Sequence, residues 1–248
     1  LVNPLISCSA RLPVYVLFAG AFFAERRGLV VFSLYALGVV LAALAAKVLS
    51  VFIKPDVSST FVMELPPYRM PKISGVLMQT WERGREFLHK AGTVILLAVV
   101  VVWVLSNMPP GVDPGSPQSL IGRIGSAIAP LLKPAGFGTW QAASALVFGA
   151  IAKELIVGTL GVLYGSGVGS ASGGSGLINA IQANWTPLSA YAFMVMSLVY
   201  MPCVATLAAI RRETGSRAWT AFAMAYPLVL GWVLAVIVYQ VGRLIGLA

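Results

Sequence analysis

Charged residues are scarce in this sequence. Only 10% of its 248 residues are charged and 58% are hydrophobic, whereas soluble domains carry about 25% charged residues. With a mean hydropathy of +0.88, the composition excludes an ordinary soluble domain and predicts a membrane protein. Acidic residues are rarer than basic ones, with 8 Asp and Glu against 17 Lys and Arg. We attribute the excess of basic residues to contacts with anionic lipid headgroups and to the enrichment of Lys and Arg in cytoplasmic loops. We do not interpret it as a nucleic-acid surface.

Several catalytic signatures are also missing. The sequence contains no G-x4-G-K-[ST] pattern, so we expect no P-loop nucleotide site within this chain. Its single histidine, His89, is not part of an H-E-x-x-H motif, which argues against an intramembrane zinc protease. A serine protease dyad would need His89 to reach a membrane-buried serine, and we rank that hypothesis last. We therefore expect that the chain is not an enzyme.

Only two cysteines are present, Cys8 and Cys203, and each lies close to a proline in an apolar context. Residues 8–12 and 203–207 share the pattern C-x-A-x-L. Two cysteines so far apart do not indicate a secreted disulfide framework. The pattern therefore predicts two related segments at which apolar helices are interrupted.

Proline-broken polar segments survive in lipid only where protein or a water-filled cavity covers them. A broken helix frees backbone carbonyls, and thiolate sulfur with oxygen donors can hold a divalent transition metal. The alternative is that each cysteine is simply a small buried hydrophobic residue. The candidate pathway residues at the two breaks are Cys8, Ser9, Cys203 and Thr206, supported by Arg11, Pro13, Met201 and Pro202.

Two opposite charges stand side by side at Lys153 and Glu154, near the middle of the apolar residues 139–164. Intramembrane charges cost about 2.5–3.5 kcal/mol each on insertion scales and face a bundle interior or a cavity. Partners on other helices could neutralise them. We favour the interpretation that Glu154 lines a transport path, with Lys153 beside it. Gly149 would allow either close helix packing or a helix break nearby.

The apolar stretches predict an all-α polytopic membrane protein with about five to six spans. A spanning helix needs about 20 apolar residues, and the predicted spans are residues 29–53, 91–105, 139–164, 187–210 and 218–242. Residues 12–24 are too short for a span, which predicts a half-helix or the end of a longer helix. Residues 119–132 are also short, which predicts a re-entrant or interfacial piece. Residues 72–90 carry apolar side chains at helical spacing among charges, which predicts an amphipathic helix on the membrane surface.

Three parts follow from this pattern. Residues 1–53 form a gate-type segment and the first full span, residues 54–90 form a Pro-rich cytoplasmic-side segment with the amphipathic helix, and residues 91–248 form the C-terminal membrane helices. If the basic segments 54–90 and 211–217 both face the cytoplasm, an even number of spans separates them. Either residues 119–132 then cross too, or residues 139–164 break into a hairpin near Lys153. The Gly- and Ser-rich residues 165–176 predict a flexible loop.

Four segments, in order along the chain, resemble the C-terminal membrane half of the bacterial ferrous iron transport protein B family. They are SCSARLPVY at residues 7–15, FVMELPPYR at 61–69, GAIAKE at 149–154 and YMPCVAT at 200–206. The resemblance implies an inner-membrane permease for Fe²⁺ with gate segments of the kind found in nucleoside-recognition permease domains. Cys8 and Cys203 would match cysteines proposed to lie on the iron pathway of that family.

The family's GTP-binding domain, its coupling domain and its first gate segment have no counterpart in this sequence. The resemblance therefore implies that those segments are partners of this chain and that no GTP site lies within it. Membrane lipid and a second copy of the chain are further expected partners. Iron selectivity is implied by the resemblance alone, because Zn²⁺ and Cu²⁺ bind most such ligand sets more tightly than Fe²⁺. Two alternatives stay open: a secondary permease for nucleosides or another organic solute, and a membrane scaffold that transports nothing.

Overall fold

The computed structural model describes residues 2–52, 72–90, 92–93, 96–108, 116–164 and 173–246. Regular structure in these ranges is entirely helical, which confirms the all-α prediction. The helices are α1 (Leu12–Phe22), α2 (Arg27–Phe52), α3 (Ile73–Lys90), α4 (Leu96–Asn107), α5 (Leu120–Leu132), α6 (Trp140–Ile151), α7 (Leu155–Leu163), α8 (Gly173–Asn184), α9 (Pro187–Val199), α10 (Val204–Thr214) and α11 (Arg217–Leu244). Short 3₁₀ helices occupy Asn3–Leu5, Ser9–Arg11 and Lys133–Ala135.

Two of the described helices, α2 and α11, are long and apolar enough to cross a membrane, judged by length and composition. Their mean hydropathies are 2.5 and 2.2. Pro227 lies inside α11 without ending it. The other apolar helices are shorter. The 11-residue α1 is about 16 Å long at 1.5 Å per residue, about half of the hydrocarbon thickness, which agrees with the half-helix alternative for residues 12–24.

Helix α9 is the centre of the fold. Eleven of its 13 residues are buried, and it packs against α1, α2 and α11. A helix that is buried on every side can be apolar all round, as α9 is. Its N-terminus is closed by a capping box, in which Thr186 and Ser189 exchange side-chain to backbone hydrogen bonds. Phe193 then packs against Phe18, Phe137 and Trp185 in one aromatic cluster.

Two of the predicted spans, residues 139–164 and 187–210, are each divided into two helices. Residues 187–210 separate into α9 and α10 around Pro202, because proline offers no N–H and disfavours helical backbone in the residue before it. Residues 139–164 separate into α6 and α7 at residues 152–154. The division of residues 187–210 agrees with the helix interruption predicted beside Cys203, and the break near Lys153 agrees with one of the two alternatives for residues 139–164.

The predicted amphipathic helix is present as α3. Its described residues are exposed, including the large apolar side chains Ile73, Leu77 and Trp81. Arg83 and Glu86 form an exposed ion pair at 3.6 Å. In the predicted loop 165–176, residues 173–176 belong instead to α8. Residues 165–172 and the motif at 61–69 lie outside the described residues.

Candidate functional site

Three breaks between helices meet at one cavity of about 480 Å³. The first break is the stretch before α1, the second separates α6 from α7, and the third separates α9 from α10. The lining residues are Pro4, Ile6, Ser7, Cys8, Ala10, Arg11, Ile151, Ala152, Lys153, Glu154, Pro202, Cys203, Val204 and Thr206. The structure thus brings together both cysteine segments and the Lys153–Glu154 pair, which are far apart in sequence.

The two cysteines occupy equivalent positions. Cys8 is the N-cap of the 3₁₀ turn Ser9–Arg11 that leads directly into α1, and Cys203 is the N-cap of α10. Both have extended backbone, with ψ angles of 163° and 161°. The repeated C-x-A-x-L pattern therefore corresponds to a repeated local structure. Because the N-terminal end of a helix favours negative charge, both positions suit a sulfur that carries negative charge when it binds a metal.

Arg11 holds the first break in place. Its side chain is 1% exposed, and its two terminal nitrogens donate hydrogen bonds to the carbonyls of Ile6 at 3.0 Å and Pro4 at 2.7 Å. These carbonyls lie in the segment that leads to Cys8. A guanidinium can satisfy two separate carbonyls because its donors form a rigid fork. Arg11 therefore fixes the irregular backbone that carries one of the two thiols.

Polar side chains surround each break. Cys203 Sγ lies 3.3 Å from Thr206 Oγ1, one turn into α10. On the opposite segment, Ser7 Oγ lies 3.2 Å from the Tyr15 hydroxyl. Tyr200, at the end of α9, donates a buried hydrogen bond of 2.7 Å to the Leu146 carbonyl on α6. This bond ties the second break to the third, so the two breaks keep a fixed relation across the cavity.

The break at Lys153 is a sharp turn between α6 and α7. Helix α7 packs back against α6, and Gly149 lies against the Ile156 side chain so closely that a Cβ at position 149 would overlap Ile156. Residues seven apart in a continuous helix are separated by about 10.5 Å. Their contact therefore requires a sharp turn, for which Gly149 supplies the space. Lys153 and Glu154 lie at the turn, and Glu154 is the N-cap of α7.

Two family models match this chain. The ferrous iron transport protein B C-terminus model matches residues 31–83. The Gate model, described as nucleoside recognition, matches residues 88–217, more than half of the chain. The chain belongs to the Gate family. Neither matching model describes a GTP-binding domain. In this Gate family member, the second and third breaks fall within the matched region and Cys8 falls outside it.

Curated relatives extend the Gate match to nearly the whole chain. The Fe(2+) transporter FeoB of Staphylococcus aureus (strain COL) is 50% identical over 245 residues, which cover 98% of this chain and 36% of the relative. Proteins of the same name from Methanocaldococcus jannaschii and Campylobacter jejuni are 46% and 34% identical, covering 99% and 97% of this chain and 37% and 41% of the relatives. The predicted resemblance to this family is thereby confirmed. No solved structure gives a significant match.

Three predicted pathway residues do not line the cavity. Ser9 and Pro13 are exposed, and Met201 is half-buried against the main core. Ser7, which sequence reasoning left out of the candidate set, lines the cavity instead. His89 is exposed on α3 and is not among the lining residues. Ser7 and Ser9 are equally close to Cys8 in sequence, so spacing alone could not show which of them lines the cavity. The extended backbone at Cys8 and the 3₁₀ turn after it decide which side chain does.

Charge and ligand type limit what this Gate cavity can do. Lys153 is 5% exposed and Glu154 is half-buried. Among the described residues, no three His, Cys, Asp or Glu side chains are close enough together to form a metal-binding cluster. Cys8, Cys203 and Glu154 therefore line a common space without forming a closed chelate. Such an arrangement suits passage of an ion better than its permanent retention, because conduction requires sites that also release the ion.

Proposed function

We propose that this chain is the membrane permease part of a ferrous iron transporter and that Fe²⁺ passes through the cavity between the three breaks. The proposal is carried by one observation: two sulfur donors and one carboxylate, from three separate helix breaks, line a single cavity of about 480 Å³. The names of the relatives, Fe(2+) transporter FeoB, supply the identity of the ion. Ligand chemistry alone would also fit Zn²⁺ or Cu²⁺.

The membrane arrangement belongs to the same proposal. We assign the chain to the bacterial inner membrane, with five to six crossings in which α1, α6 and α7 enter as half-helices or a re-entrant hairpin. Short helices at membrane depth are tolerated where they line a cavity. Helix α3 lies on the membrane surface, and the three parts 1–53, 54–90 and 91–248 keep their predicted roles. We propose three partners: the remainder of the transporter with its GTP-binding domain, membrane lipid, and a second copy of the chain.

The ion is held in transit by Cys8 and Cys203. Each sulfur comes from the N-terminus of a helix, where the helix dipole stabilises its negative charge. Thr206, Ser7 or carbonyls freed at the breaks supply oxygen ligands. Glu154 adds a carboxylate from the α6–α7 turn. Ligands from three separate chain segments can bind the ion together in transit, as expected for a site at broken helices.

The experiment is anaerobic Fe²⁺ binding to the full-length purified protein, followed by uptake into proteoliposomes. A Cys8→Ser, Cys203→Ser double variant should lose saturable binding and uptake while its thermal unfolding stays close to wild type. A Ser9→Ala variant is the matched control, since it changes a small polar side chain of the same segment without changing a lining residue. Unchanged binding in the double variant would remove both cysteines from the pathway.

A second candidate is a permease for nucleosides or a related organic solute. The description of the Gate model as nucleoside recognition favours it, and the cavity volume lies within the usual range of about 300–1,000 Å³ for small-molecule sites. This candidate predicts that solute binding survives the double cysteine change and is abolished by Glu154→Gln. Nucleoside uptake measured beside Fe²⁺ uptake in the same proteoliposomes separates the two functions.

A further inference from the structure

We infer that Lys153 acts as an electrostatic barrier that restricts the cavity to metal ions able to bond strongly to sulfur. This depends on the proposed function, because it assigns the ion specificity of the same pathway. The residue is not a ligand in this account. In its protonated form Lys153 opposes the entry of every cation, and only a sulfur-binding metal gains enough to offset that opposition.

The charges around the cavity carry the inference. Two buried cationic side chains line it, Arg11 at 1% exposure and Lys153 at 5%. Glu154 is the one acidic side chain among the described lining residues. A site evolved simply to attract Fe²⁺ would be expected to show the opposite balance, as in the acidic rings of cation channels. The lining therefore repels cations unless the sulfur atoms become negative by binding a metal.

The two cationic side chains, Arg11 and Lys153, have different roles. Arg11 is engaged with the carbonyls of Pro4 and Ile6, so its position serves the backbone of the first break. Lys153 lies at the turn between α6 and α7, on a different segment from both cysteines. A lysine side chain has a flexible four-carbon stem, and a buried charge next to an ion path acts strongly in the low dielectric of the membrane interior. Arg11 therefore serves the backbone that leads to Cys8, and Lys153 is the cationic side chain to which we assign the barrier.

The different ligand preferences of metal ions would make this repulsion selective for Fe²⁺ over Mg²⁺ and Ca²⁺. Mg²⁺ and Ca²⁺ prefer carboxylate, carbonyl and water oxygens, whereas thiolates select softer transition metals. A divalent ion meets the same Coulomb repulsion from Lys153 whatever its identity. Bonds to Cys8 and Cys203 offset that repulsion for Fe²⁺ and do so poorly for Mg²⁺. An arginine in a pore excludes cations in the same manner.

The test uses Lys153→Leu, which keeps an apolar side chain, removes the charge and adds no atom that could bind a metal. In proteoliposomes of the full-length protein, we expect Mg²⁺ uptake to rise about tenfold or more over wild type, and Fe²⁺ affinity to rise by a similar factor. Lys153→Arg, which keeps the charge, should leave Mg²⁺ excluded. An increase in Fe²⁺ affinity distinguishes a barrier from a ligand or a packing residue, whose loss would weaken binding.

Two results would overturn the inference: Mg²⁺ uptake that stays at the wild-type level in Lys153→Leu, or Fe²⁺ affinity that falls. Lys153→Gln serves as a second neutral variant with a polar end, should the leucine variant fold poorly. Failure of the proposed function appears separately, as wild-type protein that takes up no Fe²⁺. The Mg²⁺ measurement still judges the barrier in that case, because it does not require iron transport.

Discussion

Replacing Gly149 by alanine should open the turn that presents Lys153 to the cavity. The added methyl group would overlap the side chain of Ile156, which is only 1% exposed and is enclosed by the main core. Overpacking of this kind costs about 1–3 kcal/mol. Alanine also raises helix propensity over glycine by about 1 kcal/mol, so the direct effect on stability is partly masked.

Gly20→Ala corrects for that gain. Gly20 lies inside α1, and a Cβ there would meet nothing within 4 Å. The difference between the two glycine variants in free energy of unfolding therefore isolates the overlap, about 1–3 kcal/mol. Titration with denaturing detergent, or thermal unfolding in mild detergent, measures both variants side by side.

A second substitution makes the prediction specific to one contact. Ile156→Ala removes the atoms that the new methyl group meets, so Gly149→Ala should cost much less in that background, with a coupling energy of about 1 kcal/mol or more. Equal effects of Gly149→Ala and Gly20→Ala in the wild-type background would refute the tight turn between α6 and α7. Additive effects of the Gly149 and Ile156 changes would refute it as well.

Three further predictions follow from the breaks. Arg11→Met should destabilise the protein by about 2–4 kcal/mol in thermal unfolding, since one buried and one partly buried carbonyl lose a charged donor. Arg11→Lys should recover part of this loss. A change no larger than that of an exposed substitution would contradict the role of Arg11. Tyr200→Phe should cost about 1 kcal/mol by the same measurement, because it deletes the hydrogen bond to Leu146, and an unchanged midpoint would argue against that bond. Fe²⁺ affinity should fall as pH falls, because a thiol ligand must lose its proton to bind; titrations that are flat from mildly acidic to mildly basic pH would exclude thiolate ligation.

Much of the fold follows from hydropathy and proline positions. Apolar length predicted α2 and α11, and the amphipathic spacing of residues 72–90 predicted α3. Proline and charge within apolar runs marked the three irregular segments, because broken backbone in lipid must be covered by protein or water. That requirement also favours bringing such segments together, and the cavity agrees with it.

Other features depend on tertiary contacts that local sequence does not specify. Pro202 marks the end of α9 in the sequence, but the hydrogen bond from Tyr200 to the Leu146 carbonyl, which links α9 to α6, has no local signal. The role of Arg11 in holding the first break depends on its bonds to the Pro4 and Ile6 carbonyls, which the sequence alone does not specify. The choice of Ser7 over Ser9 as a lining residue likewise depends on backbone angles around Cys8.

The most direct test of the central claim is iron X-ray absorption on anaerobic, Fe²⁺-loaded full-length protein. The claim is that Cys8 and Cys203, from two separate helix breaks, contact the same ion. It predicts sulfur in the first coordination shell of wild-type protein, reduced in each single Cys→Ser variant and absent from the double variant. A first shell of oxygen and nitrogen alone in the wild type would contradict the claim and leave Glu154 and the freed carbonyls as the ligands to test.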